Sequence, residues 1–290
     1  MDYEGIIYRP PSEAYSLLLQ VTTGCSHNKC TFCGNYSDKK FKIKSLDVIK
    51  RDLQEARAYG PIEKVFLCDG DALIIPQARL EEMLSLINEY IPSVQRIGTY
   101  GNAKSILRKS VDELKKLREL GLKIIYLGVE TGNVELLKKI KKGATYEQLV
   151  EAGQRVKEAG ILLSATVILG LGSIEKSIEH AMDTARILTD MDPDYVGALT
   201  LMLVPGTEIY ADFQAGKFVL PDKFGFIREL YLIIANSSFT NCFFTANHAS
   251  NYLPIRASLP QEKDKILSMI SSVIDTRDLS RMRPEYMRAL

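Results

Sequence analysis

The stretch that decides how this chain is read is Gly24-Cys25-Ser26-His27-Asn28-Lys29-Cys30-Thr31-Phe32-Cys33-Gly34-Asn35-Tyr36. Its spacing is C-x4-C-x2-C, and it holds three of the five cysteines; Cys68 and Cys242 stand alone. An odd cysteine count without a visible secretory start argues against a disulfide framework. Thiolates are soft ligands that suit zinc, copper(I) or an iron–sulfur cluster. A structural zinc closes with four ligands. His27 is available as a fourth, but it sits in the short loop between Cys25 and Cys30, where tetrahedral closure is awkward. No second CxxC is present, and a four-iron cluster held wholly by protein needs a fourth cysteine. Three thiolates with one open position suit a centre that binds a cofactor or substrate. A purely structural zinc and three merely adjacent thiols stay open as alternatives.

Outward from this loop, short apolar runs alternate with amphipathic stretches. The runs lie at 15–21, 64–68, 95–100, 123–129, 161–169 and 195–204. They are short and rich in Ile, Val, Leu and Tyr, as buried strands are, and recur at the period of a βα unit. Helices are expected between them. Ser45 opens one that ends at Gly60-Pro61, and a second covers 77–90. The capping boxes Ser110-x-x-Glu113 and Thr145-x-x-Gln148 open two more that stop at Gly121 and Gly160, and a fifth covers 174–190. Six such units imply a parallel sheet with right-handed crossovers, either an open sheet or a partial barrel. Past Pro205 the pattern changes to short helices around 208–214, 224–235 and 261–274, with an aperiodic polar and aromatic stretch before the last. The expected domains are a core, 1–206, and an extension packed on it, 207–290. The cysteine loop follows the first strand, at the strand edge where α/β folds place their sites.

Composition bounds the function. The 290 residues are 46% hydrophobic and 25% charged, with 37 Lys+Arg against 36 Asp+Glu, a formal charge of +1. Such balance excludes a strong whole-molecule field for nucleic acid or an anionic membrane. No apolar run approaches the ~18 residues of a membrane span. The first residues carry acids and prolines, with no basic start leading into an apolar run, so a reducing cytoplasm is expected.

On the cysteine loop and the later strand ends, the sequence resembles the radical S-adenosylmethionine (SAM) superfamily. The branch it resembles contains methylthiotransferases and the Elongator catalytic subunit. In that family three cysteines hold a [4Fe–4S] cluster whose fourth iron chelates SAM. The resemblance therefore implies Cys25, Cys30 and Cys33 as cluster ligands, with a first gap one residue longer than the usual C-x3-C-x2-C, and Phe32 against the adenine. The turn Cys68-Asp69-Gly70-Asp71 resembles the family's Gly-Gly-Glu turn, with Asp71 toward the methionine ammonium. Gly128-Val129-Glu130-Thr131-Gly132 resembles the Gly-x-Glu-Ser/Thr-Gly segment, with Glu130 toward the ribose hydroxyls or the amine. Thr166-Val167-Ile168-Leu169-Gly170 resembles Gly-x-Ile-x-Gly, with Ile168 at the adenine. Leu203-Val204-Pro205-Gly206-Thr207 resembles the strand end that meets adenine. Arg155 is placed like a carboxylate-binding arginine, and Asn102 and Ser164 are weaker candidates. The implied fold is a partial (β/α)6 TIM-like barrel with a mainly helical C-terminal extension.

The implied chemistry is reductive cleavage of SAM by the cluster, with an electron from flavodoxin or ferredoxin. The product is a 5′-deoxyadenosyl radical that abstracts hydrogen from a substrate. A small-molecule substrate is expected, since too few cysteines remain for a second cluster. A tRNA substrate would call on Lys138–Lys142, Arg281, Arg283 and Arg288, which a solvated helix face and tail explain more simply. His248 and Tyr252 are candidate hydrogen or proton carriers, with a satisfied loop role as the simpler reading. An iron–sulfur electron carrier or sensor and a zinc-stabilised binding protein are the rival functions.

Overall fold

The computed structural model describes residues 1–289. In chain order its main elements are β1 (Leu17–Gln20), α1 (Leu46–Ala56), β2 (Lys64–Cys68), α2 (Gln77–Tyr90), β3 (Arg96–Gly101), α3 (Ala103–Leu107), α4 (Val111–Glu119), β4 (Leu122–Glu130), α5 (Val134–Lys139), α6 (Tyr146–Glu158), β5 (Leu162–Leu169), α7 (Ser177–Met191), β6 (Tyr195–Thr200), α8 (Glu208–Gln214), α9 (Lys223–Asn236), β7 (Cys242–Thr245), β8 (Arg256–Leu259) and α10 (Lys263–Thr276). They divide into two compact units. One comprises Met1–Asn28, Asn35–Leu127 and Glu151–Leu163; the other comprises Lys29–Gly34, Gly128–Val150 and Ser164–Leu290.

In the first unit β1, β2, β3 and β4 pair in that order, all parallel. β2 reads Lys-Val-Phe-Leu-Cys and is buried at every position after Lys64, as a parallel strand covered on both faces must be. Helix starts follow the sequence signals. Ser45 accepts from the Val48 N–H, and Ser110 and Glu113 form a reciprocal capping box. Phe66, Cys68, Ile124 and Tyr126 form an inner core joined by Ile7, Leu18 and Tyr100. The rings of Phe66, Tyr100 and Tyr126 meet edge to face, the arrangement their quadrupoles favour.

In the second unit β5 and β6 pair parallel in the register Ser164–Tyr195 to Leu169–Thr200. β7 joins β6 in parallel and β8 joins β7 antiparallel. Ile140, Leu171, Leu201, Ile209 and Phe218 make the core.

Three boundaries differ from expectation. β6 ends at Thr200; the Leu201 N–H still donates to the Leu169 carbonyl (3.0 Å), and 202–204 run on as irregular chain. α7 begins at Ser177, because the chain first turns through Gly170 and Gly172. The aperiodic stretch, 237–256, contains β7 and runs into the first residue of β8. A four-residue strand shows only two side chains per face, too few for a period to emerge.

Candidate functional site

Cys25 belongs to the first unit, where the end of β2 fastens the start of its loop. Asp69 is fully buried; its Oδ2 accepts from the Gly24 N–H (3.1 Å), Gln20 Nε2 (3.1 Å) and Lys39 Nζ (3.0 Å), while Oδ1 has no partner. The Gly70 N–H donates to the Gly24 carbonyl at 3.1 Å. A Cβ on Gly70 would stand 2.7 Å from the Tyr36 ring and 3.0 Å from the Cys25 Cβ. Only glycine lets the β2 turn approach the cysteine this closely.

Asp71 is also fully buried. Its Oδ2 accepts from the Ser26 hydroxyl, Asn102 Nδ2 (2.7 Å) and Ser105 Oγ (2.6 Å), and its Oδ1 from the Asn102 N–H (3.3 Å). Burial raises its pKa against the opposing pull of these bonds. Sequence reasoning placed Asp71 toward a ligand; the structure turns its carboxylate to Ser26, inside the long cysteine gap, and to Asn102.

Cys30 and Cys33 lie in the Lys29–Gly34 segment of the second unit. The Thr31 N–H donates to the Ile140 carbonyl (3.0 Å), and the Thr31 carbonyl accepts from the Ile209 N–H (3.1 Å). Between the two cysteines Phe32 packs, with Ile168, Leu203 and Leu220, on the core of this unit; all four are only partly buried. Residues of three separate motifs thus pack on one core. A Cβ on Gly34 would stand 2.7 Å from the Val204 side chain, so the loop also lies close on the segment after β6.

Glu130 ends β4 at φ 69°. Lys142 Nζ donates to its Oε1 at 2.8 Å, and each side chain keeps about a tenth of its exposure. A Cβ on Gly128 would stand 2.2 Å from Glu130 Oε1 and 3.0 Å from Lys142 Nζ. Gly128 and Glu130 are two residues apart on one strand face, so the glycine leaves the space that the ion pair fills.

The other expected residues have defined surroundings. Arg155 on α6 donates to the Leu107 and Lys109 carbonyls and pairs with Glu151. It braces the α3–α4 connection, and these bonds take up both of its terminal nitrogens. Ser164 lies at the start of β5, buried and in register with Tyr195. Asn102 caps α3, accepting from the Ser105 N–H, while its amide also donates to Ser26 Oγ at 3.2 Å. The Tyr252 hydroxyl donates to Glu285, and the Arg288 guanidinium covers its ring at 4.1 Å from the centroid. Burial and Glu285 push this phenol up to about 12. His248 Nδ1 meets the Ser250 hydroxyl and N–H, and burial lowers its pKa. The Tyr252 side chain joins 248–252 to the C-terminal tail, while the His248 ring bonds within 248–252.

The model of the radical SAM superfamily matches residues 19–185, more than half of the chain. The chain belongs to the radical SAM superfamily. Biotin synthase from Chromohalobacter salexigens is 27% identical over 69% of this chain and 53% of its own length. The tRNA uridine(34) acetyltransferase of Methanocaldococcus infernus is 29% identical over 38% of this chain and 21% of its own. Among solved structures, the radical SAM enzyme coproporphyrinogen III oxidase from Escherichia coli superposes with a TM-score of 0.59 at 18% identity, covering 77% of this chain and 52% of that one. These neighbours establish the fold as the partial α/β barrel of radical SAM proteins. The chain spans about half the length of the curated relatives it matches.

Radical SAM proteins use a [4Fe–4S] cluster and SAM. The residues here fit both. The three thiols are outside any disulfide and partly accessible, and they are soft donors numbering one fewer than a closed site needs. The partly buried Phe32, Ile168 and Leu203 offer apolar surface of the kind an adenine face covers.

His180 and Glu229 carry no sequence signal, and Lys142 stands out only as part of the basic run that a tRNA would call on. His180 and Glu229 are fully buried and link the radical SAM segments after β4 and β5 to α7 and α9. Lys142 lies within a run of lysines that resembles a solvated helix face.

Proposed function

We propose that this protein is a radical SAM enzyme that acts on a small molecule in a reducing cytoplasm. Its residues 1–206 form the catalytic core and 207–290 an extension. The observation that carries the reading is the packing of Phe32, flanked by Cys30 and Cys33, on the same core as Ile168 and Leu203. Cys25, Cys30 and Cys33 would hold the [4Fe–4S] cluster, leaving one iron open to SAM. When bound and reduced by flavodoxin or ferredoxin, that pair supplies a 5′-deoxyadenosyl radical that abstracts hydrogen.

This chain's own residues then bind and orient. Phe32, Ile168 and Leu203 receive the adenine. Glu130, held on one oxygen by Lys142, presents the other to the ribose or amine. Asp69 and Gly70 hold the backbone before Cys25. Asp71 serves the cofactor through Ser26 and Asn102, whose hydroxyl and amide it orients. Ser164 lies on β5 four residues before Ile168. Arg155 is left out of the set, because its guanidinium braces α3 and α4.

The small-molecule reading gains from the fate of the basic residues that would serve a tRNA. Lys141 pairs with Glu208, Lys142 with Glu130, and Arg283 donates to the His248 and Asn251 carbonyls. Arg288 is held by Ser250, Tyr252 and Glu285. What Lys142, Arg283 and Arg288 give to the fold they do not offer to phosphates.

Anaerobic reconstitution tests the reading. The expected result is a brown protein with about four irons that yields 5′-deoxyadenosine from SAM with dithionite, and loses both properties when Cys25, Cys30 or Cys33 is changed to Ala. A colourless protein holding one zinc would overturn it.

A further inference from the structure

His180 is fully buried on α7, between two segments of the chain. Its Nε2 lies 3.0 Å from the Ile168 carbonyl and its Nδ1 2.8 Å from Thr131 Oγ1. A carbonyl only accepts, so the proton is on Nε2, and Nδ1 accepts from the Thr131 hydroxyl. The Thr131 oxygen in turn accepts from the Asn133 N–H at 3.0 Å. One neutral imidazole thus joins the residue after Glu130 to the carbonyl of Ile168.

Neighbours on the same helix face complete the grip. Thr184 accepts from the Gly132 N–H (3.2 Å), and Asp183 accepts from Asn133 Nδ2 (2.7 Å). His180, Asp183 and Thr184 are spaced three and four residues apart, so they share one face of α7. From α9, Glu229 accepts from the Gly170 N–H (2.6 Å) and the Ser177 hydroxyl (2.6 Å). Phe226, one turn earlier, fills the space beside Gly170, where a Cβ would stand 2.3 Å from its ring. No reaction step calls for a buried imidazole and carboxylate here, yet three of their four polar atoms meet a group in or next to a motif residue, at Thr131, Ile168 and Gly170.

We propose that His180 is a positioning residue for SAM, which sets the Glu130–Thr131 turn and the Ile168 backbone in one register, with Glu229 holding the adjoining Gly170 turn. The proposal rests on the assignment of Glu130 and Ile168 to SAM. The imidazole touches no cofactor; it acts through the two segments it ties. Its removal takes away the bonds that the imidazole makes to a carbonyl and a hydroxyl in a buried place. The two segments then sample more arrangements, of which SAM binds only a fraction.

The test compares wild type, His180→Leu, His180→Gln and Thr131→Val as reconstituted, unreduced proteins. SAM affinity is read by equilibrium dialysis and cluster content by iron analysis, and the apo proteins are followed by hydrogen exchange. His180→Leu is expected to keep its iron and to bind SAM about tenfold more weakly. In its apo form, exchange should quicken at 131–134 and 168–171. His180→Gln, whose amide can still donate to the Ile168 carbonyl, should recover most of the affinity. Thr131→Val should weaken binding in the same direction as His180→Leu, which keeps the test alive if that variant does not fold. His180→Leu and Thr131→Val proteins that bind SAM as wild type does would overturn the inference and leave the functional reading intact. A wild type with four irons that binds no SAM would overturn the functional reading, and the inference with it.

Discussion

Lys142 Nζ stands 2.8 Å from Glu130 Oε1, and the pair fills the space that the missing side chain of Gly128 leaves. The lysine comes from a run of four lysines around Ile140, and the acid ends a buried strand. Enclosing a carboxylate so far from water is costly unless a partner faces it.

Replacing the lysine alone should therefore cost more than replacing both. Lys142→Met is expected to lower the stability of the apo protein by about 3 kcal/mol, and Lys142→Met with Glu130→Gln to recover most of it. Denaturant unfolding of the four proteins in the cycle measures the coupling. Equal stability of Lys142→Met and wild type would show that the pair does not hold Glu130.

Two glycines near this pair should separate folding from binding. A Cβ on Gly132 would stand 2.0 Å from the Asp183 carbonyl oxygen, and backbone cannot yield. Gly132→Ala should destabilise the protein by about 3 kcal/mol. At Gly128 the obstructing atoms are the ends of two flexible side chains. Gly128→Ala should cost little stability and weaken SAM binding by displacing Glu130. Thermal melts and SAM dialysis on both variants check the contrast.

His180 and Glu229 should give opposite pH dependences, since burial shifts each toward its neutral form. Glu229 is raised from 4.5 to about 7. The resulting stability is complete below the unfolded pKa and is lost as pH rises through 7. His180 is lowered from 6.5 to about 4. Its stability is complete above 6.5 and is lost as pH falls through 4. Each amounts to about 3 kcal/mol. Asp183 also faces His180, and His180 Nε2 lies 3.8 Å from Glu229 Oε2. Measured on apo protein, the advantage of wild type over Glu229→Gln should fall by about 3 kcal/mol between pH 4.5 and 7. The advantage of wild type over His180→Gln should grow by a similar amount between pH 4 and 6.5. Two parallel profiles would refute the assignment.

Ser26 is the link between the cysteine loop and Asp71. Ser26→Ala should release iron to a chelator about tenfold faster than wild type, as loss of an orienting hydrogen bond near a metal ligand does. Timed chelation of reconstituted protein measures it. Equal release rates would mean that the loop holds its shape without Asp71.

What the sequence reveals and what it hides follow physical range. The cysteine triplet, the capping box of Ser110 and Glu113, and the Gly-x-Glu strand end are legible because their chemistry is completed within a few residues. Phe32, Ile168 and Leu203 could be named together only through the family resemblance, since 136 residues separate the first two and their packing is a property of the fold. His180 and Glu229 left no signal at all. Their partners lie 12 to 59 residues away, and a histidine or glutamate on an amphipathic helix looks the same whether it faces solvent or a buried carbonyl. Asp71 shows the same limit from the other side. Its place after β2 is readable, but the hydroxyls of Ser26 and Ser105 that turn it inward are 45 and 34 residues distant. That Arg155 lies on a helix is readable from the sequence, but its direction is set by the carbonyls of Leu107 and Lys109, more than 40 residues away.

The central claim is that three cysteines leave one iron of a four-iron cluster open to SAM. Electron paramagnetic resonance of the dithionite-reduced protein, recorded with and without SAM, tests it most directly. The account predicts a reduced-cluster signal whose g-values shift when SAM is added, and no such signal in Cys33→Ala. A cluster signal that SAM leaves unchanged would contradict it.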